Sequence, residues 1–156
     1  MSDRTPALRK IQTAFMELVA SVRPDLRGFA DRSDAEPLTD SERPGYIIRI
    51  PRFTFDIAPE NNQTYCRATI SLDLQSGGEA GETIDEVNQR SIADIIAALG
   101  NDRTLGGRLQ EMQESAASGS ELDGADVGTA ILDIDISFFT PRGDFYTIVG
   151  HGGVHF

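Results

Sequence analysis

Asp133 and Asp135 lie two residues apart, in a stretch where apolar and polar residues alternate. Because side chains two positions apart on a β-strand point to the same face, both carboxylates would project together. Such a pair could bind a cation or perform paired acid chemistry. No further acidic ligand follows at a coordinating spacing, so a solvated outer face of a strand is the simpler interpretation.

The histidines and the cysteine are the other residues that could do chemistry. His151 and His155 are four residues apart, a spacing that would suit two metal ligands on one helical face. Gly152 and Gly153 lie between them and oppose a helix, and no third ligand is evident. Cys66 falls on the apolar side of an alternating stretch, where cysteine behaves as a small hydrophobic residue. We therefore predict no catalytic residue, no metal and no cofactor.

Charge and glycine spacing argue against binding sites for phosphate. The chain has 14 Lys and Arg against 25 Asp and Glu, which gives a formal net charge of −11 at pH 7. Such a surface disfavours tight binding of nucleic acid and of anionic lipid. The glycine pairs match neither the P-loop nor the dinucleotide pattern. With no export signal and no apolar window of about 20 residues, we expect a soluble protein that does not bind a membrane.

Two helices are predicted from hydrophobic periodicity and capping signals. Apolar residues recur at spacings of three and four over residues 6–22, which is typical of an amphipathic helix. A capping box from Thr83 to Glu86 opens a second apolar stripe. That helix should end at Gly100 or Asn101.

Strands are predicted from alternation. Residues 46–57 are rich in β-branched and aromatic residues but contain Pro51, which favours two short strands or one bent edge strand. Residues 66–74 and 130–139 alternate with a period of two, each with one apolar face, and the opposite face of the second segment carries Asp133, Asp135 and Ser137 between Ile131 and Phe139. The 156 residues suit a single domain. We predict an α+β fold, a mostly antiparallel β-sheet with two main α-helices packed on one face.

The remaining segments are predicted to be irregular. Residues 23–44 are polar and contain three prolines, which indicates a long exposed loop. Residues 103–113 could hold a further short turn, and residues 115–128 are small, acidic and rich in glycine. Residues 145–156 form an apolar C-terminal extension that would be better buried against a partner.

Three stretches, taken in order, resemble the tail terminator (tail completion) proteins of long-tailed bacteriophages and of phage-like gene transfer agents. The first is the N-terminal helix, and the second is Ala-Ala-Leu-Gly-Asn-Asp-Arg-Thr-Leu-Gly-Gly at residues 97–107. The third is the final alternating strand, which runs into Thr-Pro-Arg-Gly-Asp at residues 140–144. The similarity covers residues 7–144, so residues 1–144 are expected to be one tail-terminator-like domain and residues 145–156 an addition to it.

The resemblance implies a structural virion protein without catalytic activity. Such a protein is made in the host cytoplasm and forms a hexameric ring on the head-proximal end of the tail. The ring stops polymerisation of the tail tube protein and offers a surface to the neck or head completion (stopper) protein. DNA passes through the ring without tight binding, and an acidic channel wall would repel its phosphates.

On this interpretation Asp133 and Asp135 are candidates for the channel wall. The loop at residues 23–44 and the C-terminal extension are candidates for contacts with other subunits or with the next ring. The interface candidates are Arg32, Arg43, Tyr46, Arg142, Asp144, Phe145, Tyr146 and Phe156.

Two alternatives stay open. A head completion or neck adaptor protein would share the small size, the ring symmetry and the acidic balance. A stand-alone small-molecule binding domain or hydrolase would instead need an apolar pocket with convergent polar groups, of which the sequence gives no sign.

Overall fold

A computed structural model describes residues 4–32, 37–58, 61–77, 83–121 and 128–156. The elements in chain order are α1 (Ala7–Val22), β1 (Arg27–Phe29), β2 (Gly45–Ala58), β3 (Gln63–Ser76), α2 (Ile84–Asn101), β4 (Glu111–Glu121) and β5 (Gly128–Pro141). No helix in these ranges is long and apolar enough to span a membrane.

The five strands form one sheet in the order β1-β2-β3-β5-β4. β1 pairs with β2 in parallel, and every other pairing is antiparallel. Both helices pack against the sheet and against each other. The predicted α+β architecture is confirmed, with a single sheet that is mostly antiparallel.

The core lies between the helices and one face of the sheet, which we call the inner face. The alternating apolar positions of β3 and β5 predicted from the sequence are all buried there. Each fully buried aliphatic or aromatic side chain stabilises the fold by about 1.5–3 kcal/mol. The main contributors are Ile11, Phe15 and Val19 of α1, Ile95 and Leu99 of α2, Cys66, Ile70 and Leu72 of β3, and Leu132, Ile134 and Phe138 of β5.

The two helix starts are stabilised differently. The capping box predicted for α2 is confirmed, since the Glu86 amide donates to the Thr83 hydroxyl at 3.2 Å and the Thr83 amide donates to the Glu86 carboxylate at 3.3 Å. α1 has no side-chain cap; its N-cap residue is Pro6. The Ala7 amide instead donates to the carbonyl of Phe145 at 2.8 Å, so the C-terminal extension satisfies it.

β2 is one bent strand, which was one of the two predicted arrangements. Its register against β3 shifts between Arg49 and Arg52, around the interruption at Pro51. β1 pairs only with residues 45–47 of β2. The rest of β2 is therefore an edge strand, where a proline without an N–H is tolerated.

The prediction of an exposed loop at residues 23–44 is wrong in two respects. The segment contains β1, and it buries Leu26 and Leu38, which are 5% and 2% exposed. The Leu38 amide donates to the buried side-chain carbonyl of Gln75 at 2.8 Å. A three-residue strand is too short to leave a periodic pattern, and its neighbouring prolines and charges suggested a loop. Residues 33–36 of this segment lie outside the described residues.

Sequence patterns also missed β4. Its residues include Ala116, Ala117 and Ser118, which have low strand propensity, and they pair with β5 in register. Tertiary pairing rather than local preference makes this segment a strand. Residues 115–121 of the stretch 115–128, which was predicted to be irregular, belong to β4, and residues 122–127 lie outside the described residues.

The C-terminal extension packs on its own domain, which corrects the expectation that it needs another molecule for burial. Ile148 is fully buried, and its backbone exchanges two hydrogen bonds with Phe156, at 3.0 and 2.9 Å. The Lys10 ammonium group donates to the carbonyl oxygens of Tyr146 at 2.7 Å and Phe156 at 3.3 Å. These contacts fix the extension against α1.

Candidate assembly surface

The sheet face opposite the helices, which we call the outer face, presents residues in rows that cross the strands. One row contains Arg52, Thr69, Asp135 and Gln113, and the next contains Thr54, Arg67, Ser137 and Glu111. These rows follow from the antiparallel register, which places directly opposed residues on the same face.

Asp133 and Asp135 both project from the outer face. Asp135 is exposed and accepts a hydrogen bond from the Thr69 hydroxyl at 2.9 Å. Asp133 is half-buried and is aligned with Ser71 of β3. The two carboxylates therefore share one face, as the period of two requires.

The outer face is not uniformly acidic, because arginines of β2 and β3 lie among the carboxylates. Arg49 forms an ion pair with Asp73 at 3.2 Å, and the exposed Arg67 lies 3.9 Å from Asp56. Arg52 makes no ion pair within the described part of the chain. The prediction of an acidic face rests on β5 alone, and only the pairing of strands brings the arginines beside these carboxylates.

A depression of about 800 Å³ lies over these rows. Its floor includes Ser137, which is only 2% exposed and whose hydroxyl makes no hydrogen bond within the described residues. Arg52, Arg67 and Arg103 lie around it, together with Asp135 and Glu111. Charged side chains of both signs line the depression beside apolar ones, so it is not the mainly apolar pocket that a small-molecule ligand usually occupies.

An aromatic patch lies on the inner face of β2, beyond the cover of the helices. We define it as Phe53, Phe55, Ile57 and Phe145. The first three are 46%, 51% and 63% exposed, and the Phe145 ring packs against two of them, with its centroid 6.5 Å from that of Phe53 and 5.3 Å from that of Phe55. Exposed apolar clusters of this kind commonly mark interaction surfaces. The sequence signal was the strict alternation after Pro51, but alternation does not reveal whether a helix covers the apolar side.

Two of the predicted interface arginines bind their own segment. Arg32 forms an ion pair with Glu42, and this contact lowers the pKa of the Glu42 carboxyl to about 2, with help from the Thr39 amide. Arg43 forms an ion pair with Asp40 and donates to the Leu38 carbonyl at 3.1 Å. Both side chains stabilise the segment that covers β2.

Tyr46 was predicted at an interface, and the structure corrects this. The side chain is 1% exposed and belongs to the main core, so it cannot contact another subunit. Burial raises the pKa of its hydroxyl to about 12. Gly28 allows the ring to approach, because a β-carbon there would lie 2.6 Å from the Tyr46 hydroxyl.

The remaining interface candidates lie around the C-terminal extension. Asp144 accepts a hydrogen bond from the Tyr146 amide at 2.9 Å, and this contact is the main cause of its lowered pKa. Tyr146 is 37% exposed beside the guanidinium of Arg4. Arg142 is exposed at the turn after β5, and the half-buried Phe156 ring lies under Arg108. Tyr146 and Arg142 thus remain accessible for contacts.

Cys66 and His151, two residues whose side chains could take part in catalysis or metal binding, have structural roles. Cys66 is fully buried, and burial raises the pKa of its thiol to about 12, far from the range of a reactive thiolate. The Nε2 atom of His151 lies 2.8 Å from the carbonyl oxygen of Leu109 and donates to it in the corresponding tautomer. Across the described ranges, no three His, Cys, Asp or Glu side chains are grouped to hold a metal.

Comparison with solved structures yields chains of similar fold. No protein-family model and no curated protein matches the sequence. A chain from the virion of a native gene transfer agent (GTA) particle is similar with a TM-score of 0.45 and 13% sequence identity. The alignment covers 81% of the present chain and 92% of that chain.

Proposed function

We propose that this chain is a structural virion protein of a phage-like particle, without catalytic activity. Six copies form a ring on the head-proximal end of the tail tube. The ring stops polymerisation of the tail tube protein, joins the tail to the neck or stopper protein, and leaves a channel for DNA. The protein is made in the host cytoplasm and acts in the virion tail.

The observation that carries this proposal is the agreement between the element order implied by the sequence resemblance and the observed fold. The N-terminal helix and the final alternating strand lie at the predicted positions, as α1 and β5. Residues 97–107 include the end of α2 and the start of the turn that follows it, in which Leu105 and Leu109 are buried. That turn also binds the C-terminal extension, because the His151 amide donates to the Gly107 carbonyl at 2.9 Å.

The surface of the subunit also suits assembly. Exposed aromatic side chains on β2, an accessible Tyr146 and two open sheet edges are features that a ring contact would cover. In the proposed ring the outer face lines the channel, so that Asp133 and Asp135 repel the phosphates of passing DNA. The formal charge of −11 per subunit supports a non-adhesive channel.

The deciding experiment is negative-stain imaging of particles produced without this protein. Tails of irregular and excessive length are the expected result, because tube polymerisation would have no stop. Tails of normal length beside unattached heads would contradict termination and would assign the protein to the neck. Complementation with the intact gene should restore tails of uniform length.

Sizing of the purified protein tests the ring separately. A multimer whose population grows with concentration is expected from light scattering or analytical ultracentrifugation. A strict monomer that binds a small metabolite stoichiometrically would contradict the proposal and favour a ligand-binding domain.

A further inference from the structure

The open half of β2 carries a short pattern that is symmetric about Thr54, apart from the sign of the charges at its ends. Residues 52–56 are Arg-Phe-Thr-Phe-Asp, and all five are exposed. β1 pairs only with residues 45–47, so residues 52–56 have no partner strand on the side away from β3 among the described residues. An unpaired edge strand of this kind is a template for pairing with another chain.

A second copy of the same strand matches this pattern in charge. If two copies run antiparallel with Thr54 opposite Thr54, Arg52 of each copy lies opposite Asp56 of the other. Opposite charges that face each other directly across two strands stabilise the pairing, whereas like charges destabilise it. Arg52 makes no ion pair within the described ranges, and Asp56 has only a long contact of 3.9 Å with the exposed Arg67. The strand is therefore complementary to itself in one antiparallel register.

The aromatic patch matches in the same register. Phe53 and Phe55 lie on the inner face, and each would face the other residue of the second copy across the new pairing. Directly opposed residues share a face of an antiparallel pair, so the helices of both copies would lie on the same side of the joined sheet. The two aromatic patches would then form one apolar cluster, in which rings now exposed to water pack against each other.

This register leaves the position of β1 free. With Thr54 at the centre, Ala58, which is the last residue of β2 in one copy, lies opposite Ile50 of the other. β1 lies beside residues 45–47, so the paired segment stops before it, and residues 48 and 49 separate the two. The charged and aromatic pairs at residues 52–56 also follow the register shift of β2, in the part where its pairing with β3 is regular.

We propose that two copies of this protein form a symmetric dimer by antiparallel pairing of residues 52–56 of β2 about Thr54. Both copies use the same surface, so the contact stops at two copies and cannot be repeated around a ring. The dimer is therefore a form of the free protein, in which the aromatic patch is covered before the chain joins a particle. The inference goes beyond the proposed function and does not require it; in the proposed ring, a neighbouring subunit would replace this contact.

Cysteine cross-linking tests the register. Thr54→Cys would place two thiols directly opposite each other, at a separation close to the one that a disulfide spans. Mild oxidation is expected to convert most of this variant into a covalent dimer. The matched control is Ile57→Cys on the same strand, whose two copies would lie about 20 Å apart along the pairing and should stay uncross-linked. The native Cys66 is buried and does not compete.

Charge reversal tests the specificity of the contact. Arg52→Glu and Asp56→Lys are each expected to raise the dissociation constant of the dimer by about tenfold or more, because like charges then face each other at two places. An equimolar mixture of the two variants should dimerise within about threefold of the wild type, since every acidic side chain of one then faces a basic one of the other. Control reversals are Arg90→Glu on α2 and Glu111→Lys on β4, which lie away from the β2 edge and should leave the dimer unchanged.

Sedimentation velocity over a range of concentrations gives the dissociation constants, and urea denaturation checks that each variant is folded. A wild type that stays monomeric at all concentrations would overturn the dimer, as would a dimer that withstands both reversals at the β2 edge. A larger multimer in which Thr54→Cys fails to cross-link would overturn it and leave the ring standing. Imaging of tail length decides the proposed function separately, because it does not depend on the form of the free protein.

Discussion

The two halves of β2 have similar sequences and opposite environments. Tyr46, Ile47 and Ile48 are at most 1% exposed, whereas Phe53, Phe55 and Ile57 are 46% or more exposed. Both halves carry large apolar side chains and pair with β3, and the first half also pairs with β1. The difference lies in what covers them: α1, β1 and the segment before β2 enclose the first half, and the second half extends beyond that cover. Similar strand patterns can therefore serve stability in one place and contact in another.

The largest difference between the halves should appear in stability. Ile48→Ala removes a fully buried side chain from the core and is expected to lower the free energy of unfolding by about 2–5 kcal/mol. Phe55→Ala loses only ring contacts with Phe53 and Phe145, at 5.5 and 5.3 Å, and should cost about 1 kcal/mol. Urea denaturation of both variants measures the difference. Equal losses would show that the second half is covered as well as the first.

The cover over the first half can be disturbed at Gly45. A β-carbon there would lie 2.8 Å from the carbonyl oxygens of Arg27 and Glu42 and 2.9 Å from the Leu38 side chain. Gly45→Ala should therefore destabilise the protein by about 1–3 kcal/mol. The matched control is Gly100→Ala near the end of α2, where nothing lies within 4 Å, and where alanine should stabilise the helix by up to about 1 kcal/mol. Thermal unfolding should shift in opposite directions for the two variants, and a loss of stability in both would refute the comparison.

The smallest effect on stability is expected for the ion pair of Arg32 and Glu42, which stabilises the segment before β2. The pKa of Glu42 falls from 4.5 to about 2 on folding. Its contribution to stability is therefore present above pH 4.5 and is lost as the pH falls toward 2. Glu42→Gln should flatten this part of the curve of stability against pH, as measured by denaturation at several pH values. An unchanged curve would show that this ion pair does not contribute to the stability of the fold.

Local signals in the sequence predicted much of the fold. The helices follow from periodicity, and the capping box at Thr83 and Glu86 fixed the start of α2 within its own few residues. Strict alternation fixed the inner faces of β3 and β5 because burial repeats every second residue. β1 and β4 escaped prediction because three residues carry no period, and because small residues such as Ala116 and Ala117 become a strand only through pairing with β5.

The candidate surface was less predictable. The shared face of Asp133 and Asp135 follows from their spacing alone. The arginines beside them come from other strands, so no local pattern could place them there. The sequence also did not predict that Tyr46 is buried and Phe55 is exposed. Both are aromatic residues of one strand, and they differ only in their distance from the helices.

The sequence by itself determined which residues form the two helices and which face of each central strand is apolar, because those properties depend on neighbours a few positions away. It also determined the acidic balance of the chain. Only the tertiary structure decided which apolar faces are covered and which strand edges stay open, because cover and pairing depend on segments far apart in the chain. Long-range packing thus separates the core of this protein from the surface that we propose for its assembly.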